Sequence, residues 1–512
     1  MNRLARLDHK YIWHPFTQMR DWLKREPIVI VEGKGAVLKD VRGREYLDAN
    51  SSIWTNLHGH NHPTINGAIH RQSKKVSHTS ALGLANAPAS LLAEKLIKAA
   101  NPSGATQASS LRVKGASLPH GHEARMLREP AGWKPVLRKV FFSDDGSTAM
   151  EGALKLAYEY ARRTRRIQRP KFLSLDGAYH GDTVGAVSLG HIDQFHRAYG
   201  GLLFRTDKVM APYCYRCPYN RARPERADAR EYRKCNWECT GKLEQKFAAQ
   251  KKKGNPYAAF VFEPLIQGAA GMITQPTGWL RRAAEIARGY GAQLIADEVM
   301  TGFGRTGRGE VSERVGERES GKQQDLHASS LFACAREGVR PDFLALAKGL
   351  TGGYLPMAAT LTTQAVFDAF LGEYHELKTF FHGHSYTGNQ LGAAAALASL
   401  EILQSPVSGR SRLKLERALR QELQTLWALP NVGDIRQVGL IAGVELVKDW
   451  RTRAPFSLRE RAGVRICEAM AKRGVLTRSI GDVIVLMPPY CTTTAQMVRM
   501  VAALHEAISR SL

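Results

Sequence analysis

Lys348 follows the largely apolar run Phe343-Leu344-Ala345-Leu346-Ala347 and precedes Gly349-Leu350-Thr351-Gly352-Gly353. Burial at the end of such a run lowers an amine's pKa and favours its nucleophilic form. The small residues around it leave room for a flat ring. Asp297 ends a second apolar run, Leu294-Ile295-Ala296, where a carboxylate is costly without a partner. A protonated ring nitrogen would serve; so would Arg305 or a loop that the carboxylate caps. Tyr179, in Ala178-Tyr179-His180-Gly181-Asp182, can stack on a heterocycle or simply fill a turn. Ser143-Asp144-Asp145-Gly146-Ser147-Thr148 separates an apolar run from a helical pattern. Backbone N–H groups and hydroxyls at a helix start suit a phosphate, as they suit ordinary capping. Asp144 and Asp145 would have to point away from an anion held there.

A nucleophilic lysine, a ring-nitrogen acid, a stacking aromatic and a phosphate cradle together describe a pyridoxal-phosphate (PLP) site. Lys348, Asp297 and Tyr179 are then the catalytic candidates. Gly146 and Ser147 join them in binding the cofactor.

These groups need a scaffold that brings strand ends together. Lys139–Phe142, Lys171–Leu175, Ala259–Phe262, Gln293–Ala296 and Phe343–Leu346 are short apolar runs that alternate with longer helical patterns. That alternation predicts an α/β protein with a large, mostly parallel sheet, and ligands there bind beyond the carboxyl ends of the strands. Helical patterns around Arg412–Leu426 and Leu458–Arg473, with strands near Gly439–Leu446 and Val483–Met487, predict a smaller α+β domain. The stretches 102–135 and 308–330 read as inserted surface loops.

The 512 residues carry a formal charge of +26, with 44% hydrophobic and 23% charged residues. Basic clusters such as Lys251-Lys252-Lys253 and Arg162-Arg163-Thr164-Arg165-Arg166 come without a helix-turn-helix, RNP or finger signature. A solvated basic surface favouring anionic substrates is the reading, rather than nucleic-acid binding. No apolar run is long enough for a transmembrane helix, and Met1–Asp8 lacks the apolar stretch of a secretory signal. A cytoplasmic enzyme is expected. Seven cysteines fit a reducing compartment. Four of them, Cys214-x2-Cys217 and, after 17 residues, Cys235-x3-Cys239, are either free surface thiols or zinc ligands. No other metal ligands are expected.

The stretches Gly146–Glu151, Tyr179–Asp182, Ile295–Gly307 and Ala347–Gly349 closely resemble the class III, fold-type I PLP-dependent aminotransferases. The resemblance covers nearly the whole chain outside the two inserted stretches. It implies a large PLP-binding domain over 71–375, with insertions near 102–135, 212–255 and 308–330. Residues 1–70 would contribute to a small domain completed by a connecting helix and 376–512. It also implies a homodimer with the site at the subunit interface, Ser385 reaching the cofactor phosphate from the partner and Gly383 in the same turn.

Within the family, Trp13–Met19, Ser51–Pro63, His382–Asn389 and Arg478 ahead of Val485–Tyr490 resemble the branch that aminates 8-amino-7-oxononanoate in biotin biosynthesis. That resemblance assigns Arg478 to the substrate's distal carboxylate, which a guanidinium binds well. Trp54 and Phe16 wall the apolar chain, or either of them packs as plain core. Asp182 either lies near the substrate amine or stabilises a turn. The chain departs from many members at Phe16, where they have Tyr, and at Ile53, where they have a second Trp. The amino donor is therefore adenosylmethionine or lysine. Another class III enzyme acting on a diamine, lysine, 4-aminobutyrate or β-alanine, or a polyanion-binding protein on a PLP fold, are the alternatives.

Overall fold

The computed structural model describes residues 1–101, 135–307 and 331–512. The inserted stretches 102–135 and 308–330 fall outside these residues, apart from Pro135. Three antiparallel strands come first: β1 (Ile30–Lys34), β2 (Val37–Asp40) and β3 (Glu45–Asp48). Asp40 ties their second turn by accepting from the Arg42 and Arg44 amides and from the buried Tyr46 hydroxyl. Nothing in the apolar-run pattern had pointed to these short, half-exposed strands.

The main sheet uses β4 (Leu137–Ser143), β5 (Lys171–Leu175), β6 (Asp207–Val209) and β7 (Tyr257–Phe262). After the small hairpin β8 (Ile266–Gln267) and β9 (Ile273–Thr274) it continues with β10 (Gln293–Asp297), β11 (Phe343–Leu346) and β12 (Ala358–Thr363). Its seven strands run in the order β4-β12-β11-β10-β7-β5-β6. β10 pairs in parallel with β7 and β11, and β5 with β6 and β7; β12 alone is antiparallel to its neighbours β11 and β4. β7, β10 and β11 are buried at every position. Strands covered on both faces read as unbroken apolar runs, which is why they were recognisable. The helix Gly146–Arg165 covers one face through Met150, Ala153, Leu154, Ala157 and Ala161, a 3–4-residue spacing.

The last strands are β13 (Val432–Val438), β14 (Ile441–Leu446), β15 (Val475–Leu476), β16 (Ser479–Ile480) and β17 (Val483–Leu486). Four form an antiparallel sheet in the order β13-β14-β17-β16, while β15 pairs in parallel with β3 of the first sheet. Two helix boundaries differ from the sequence pattern. One helix runs Pro406–Leu423, begun by the Ser405 cap and ended by a 3-10 turn. The other starts at Ala462, because Arg461 takes a left-handed conformation. Among the described residues no helix is long and apolar enough to cross a membrane.

Candidate active site

Asp297 and Lys348 meet at the carboxyl edge of neighbouring strands. In the parallel register Asp297 stands beside Ala345, so Lys348 emerges just past it on the adjoining strand. Lys348 has φ of 47° and opens a 3-10 turn, a left-handed kink that stops β11 and turns the side chain into the cleft. The residue is half-buried, and its amine lies 4.5 Å from the centre of the Trp54 ring. It makes no hydrogen bond among the described residues. Burial pushes its pKa down to about 8, against the pull of the Asp297 and Glu263 carboxylates.

Asp297 is buried and pairs not with Arg305 but with His180, whose Nδ1 is 2.8 Å from Asp297 Oδ2. Its other oxygen accepts from the Val299 amide at 3.0 Å. Arg305 instead donates to the backbone oxygens of Pro488 and Asn56, bracing the C-terminal segment. His180 Nε2 is buried with no partner.

The Asp145 side chain caps the helix at Gly146 by accepting from the Thr148 amide, and Asp144 pairs with His384 at 3.1 Å. Both acids are thus occupied. The Gly146 and Ser147 amides, first in the helix, donate to nothing among the described residues. Gly146 has no room for a side chain: a Cβ would come within 2.6 Å of Val299 just past Asp297. Ser147 Oγ accepts from the Thr183 amide and lies 2.8 Å from its hydroxyl, tying the helix start to the Tyr179 loop. Gly181, at φ of 119°, lets that loop close over Ser147.

Tyr179 is half-buried, parallel to the His196 ring at 6.3 Å, and its hydroxyl donates to Asp182 at 2.7 Å. Burial and Asp182 push its phenol pKa up, so it stays neutral. Asp182 thereby has a turn-stabilising contact. Phe16 is no core residue: it is 58% exposed and meets Phe195 edge-on at 5.2 Å and Tyr179 at 6.5 Å. Trp54 is buried, held by its indole N–H to Asn50 and packed with Ile266, Met272, Met300 and Met487. Arg478, between β15 and β16, is half-buried near Tyr179, and its guanidinium donates no hydrogen bond among the described residues.

Ser385 and Gly383 do not join this group within one chain. Both are exposed on a turn tied down by the His384–Asp144 pair, a bond from His78 to the Ser385 carbonyl and one from Asn86 to the Gly388 carbonyl, among others. The four clustered cysteines lie elsewhere, around one small cavity, and all are free thiols. Among the described residues no group of three or more His, Cys, Asp or Glu could hold a metal ion as they stand.

Two site residues had no assigned role in the sequence reading. His180 was visible only as a neighbour of Tyr179. Glu263 directly follows β7 much as Asp297 ends β10, and that parallel was a usable signal. It accepts from the Gly268 and Tyr179 amides, and burial, aided by Asp297, pushes its carboxyl up to about 7.

The residues present fit PLP. An amine without a hydrogen-bond partner faces a buried carboxylate, two unpaired helix amides lie beside that carboxylate's loop, and Tyr179 edges the same cleft. Residues 19–309 and 328–508 match the aminotransferase class-III family. The adenosylmethionine-8-amino-7-oxononanoate aminotransferase of Geobacter sulfurreducens is 42% identical over 502 residues, covering 98% of this chain and 96% of its own. The crystal structure of the enzyme of that name from Methanocaldococcus jannaschii superposes with a TM-score of 0.80 at 36% identity, over 99% of this chain and 98% of that one. A PLP-bound amine transaminase from an uncultivated Pseudomonas species gives 0.79 at 29% identity, over 98% and 99% of the two chains.

Proposed function

Because this chain belongs to the class III aminotransferases and uses PLP as its cofactor, we propose that it aminates 8-amino-7-oxononanoate to 7,8-diaminononanoate in biotin biosynthesis, with adenosylmethionine as donor. The observation that carries the reading is an uncommitted Arg478 guanidinium beside Tyr179, in the same cleft as the Lys348 amine and the Trp54 ring. An acceptor with an apolar chain and a distal carboxylate matches those three features. The relatives named for this activity support it.

Lys348 would hold the cofactor covalently, Asp297 would face its ring nitrogen, and the Gly146 and Ser147 amides would take its phosphate. Bound there, PLP supplies an electron sink for the carbon that carries the transferred nitrogen. With its pKa near 8, Lys348 has a substantial neutral fraction at working pH. It can therefore take a proton from that substrate carbon and return one. The His180 and Val299 bonds hold the Asp297 carboxylate in place for its contact with the ring nitrogen. Trp54 excludes water from one side of the amine, and Phe16 with Phe195 forms the outer apolar wall.

The chain works as a homodimer in this reading, with Ser385 and Gly383 contributed across the subunit interface. Their exposure in the single chain supports that role. A cytoplasmic setting accords with seven free thiols. The test is a donor screen with 8-amino-7-oxononanoate as acceptor, following diaminononanoate. Product with adenosylmethionine supports the proposal. Product with lysine alone keeps the pathway and changes the donor, and no product from a PLP-loaded protein overturns the acceptor.

A further inference from the structure

The segment between β6 and β7 carries four cysteines that the aminotransferase chemistry does not use. Cys214 and Cys217 bracket a single 3-10 turn, Cys235 sits in the following loop, and Cys239 lies in the first turn of the helix Glu238–Lys252. Although two pairs are separated by 17 residues of chain, all four thiols line the same small cavity. Their existing contacts are slight: Cys214 reaches the Pro212 carbonyl at 3.8 Å, and Cys235 accepts from Arg233 at 3.3 Å. Arg233, over the Trp237 ring at 4.2 Å, lines the cavity as well.

The segment has little else to hold it in shape. Between Val209 and Glu238 the only regular elements are the Cys214–Arg216 turn and the four-residue helix Ala229–Tyr232. Its own apolar cluster is Cys214, Tyr215 and Ala229, flanked by Tyr213 and Tyr232. Small modules with so little core are ordinarily held by disulfides or a metal. Yet this one is docked with care. Tyr213 and Arg216 bond Glu445 on β14, the Ala229 amide bonds Asp434 on β13, and Arg453 donates to the Tyr215 carbonyl. Arg436 extends the network by pairing with Asp434 and Glu445 and donating to the Gly271 and Met272 carbonyls. Met272 then packs in the cluster that contains Trp54.

We propose that Cys214, Cys217, Cys235 and Cys239 bind one zinc ion as a closed four-thiolate structural site. The four cysteines line one cavity, and because no three of them stand in a ready coordinating set among the described residues, binding requires the side chains to turn inward. Binding replaces four S–H bonds with four Zn–S bonds and releases four protons to solvent, leaving a net charge of about −2 that Arg233 offsets. A site of this kind leaves no open position for substrate. It therefore buttresses the small sheet and the Met272 loop and takes no part in amine transfer.

The test is metal analysis of the PLP-loaded protein after desalting, with native alkylation and peptide mapping of the seven cysteines. The expected result is about one zinc per chain, with these four thiols protected from alkylation until zinc is chelated. Cys214→Ser/Cys217→Ser should bring zinc close to zero, while Cys334→Ser/Cys467→Ser/Cys491→Ser should retain it. Wild-type protein that holds no zinc and takes none up from zinc chloride overturns the proposal. So does a disulfide between any two of the four, or zinc retained by the Cys214→Ser/Cys217→Ser protein. The wild-type measurements decide the matter even if a variant fails to fold.

Discussion

His180 Nδ1 lies 2.8 Å from Asp297 Oδ2, inside the protein, and His180 Nε2 has no partner of its own. The ring donates to the carboxylate and fixes its direction, while the Val299 amide holds the other oxygen. His180→Phe keeps a ring but removes that bond. A charge-assisted hydrogen bond contributes about 1.5–3 kcal/mol, so kcat should fall roughly 10–100-fold. Cofactor retention on gel filtration should weaken in parallel. Unchanged kcat and retention would show that Asp297 needs no such support.

Lys348→Ala should abolish turnover, which a coupled assay of diaminononanoate checks directly. The intact lysine makes a pH prediction. Burial brings its pKa down to about 8, so the amine is mostly protonated below that pH and mostly free above it. Capture of added PLP by cofactor-free protein should therefore accelerate as pH rises and level off above about 8, read by stopped-flow absorbance. Asp297 acts in the opposite direction to burial, favouring the ammonium form. Asp297→Asn should shift the midpoint to lower pH.

Arg478→Ala removes the cleft's uncommitted guanidinium. The KM for 8-amino-7-oxononanoate should rise roughly 10–100-fold through loss of a charged hydrogen-bond partner. The donor half-reaction, measured alone by cofactor absorbance with a donor lacking a distal carboxylate, should change little. Equal losses in both halves would assign Arg478 a structural role instead.

Phe16 presents its ring to Phe195 and Tyr179 at an exposed rim, with no hydroxyl to offer a donor. Phe16→Tyr should improve kcat/KM for adenosylmethionine by a few fold, on the order of one hydrogen bond at a solvated site. Phe195→Ala should raise KM for the long-chain acceptor more than it lowers kcat. Steady-state kinetics with each substrate varied in turn separates the two effects.

The sequence by itself determined the sheet core and marked the candidate cofactor residues. β7, β10 and β11 are buried on both faces, so they appear as unbroken apolar runs, and the group that ends each run is conspicuous. Lys348 and Asp297 stood out as candidates for that reason, whereas the Gly146 helix start, after the partly exposed β4, stood out by its Gly-Ser-Thr capping pattern. Glu263 was equally marked by directly following β7, but its bonds to Tyr179 and Gly268 depend on loops meeting at the sheet edge. The edge strands β1 to β3 left no comparable trace, because they are short and partly exposed.

Only the tertiary structure decided the pairings. Sequence allowed Asp297 to face Arg305; the fold gives it His180 from a loop 117 residues away and sends Arg305 to the Pro488 and Asn56 carbonyls. Phe16 was open between walling the substrate chain and packing as core, and its exposure beside Phe195 removes the core alternative. The four clustered cysteines were open between free surface thiols and zinc ligands, and the fold brings them around one cavity. Residue type and spacing register how a segment is buried along its own length. Which distant side chain completes a charge depends on how strands and loops from separate parts of the chain are laid side by side, and no local pattern encodes that.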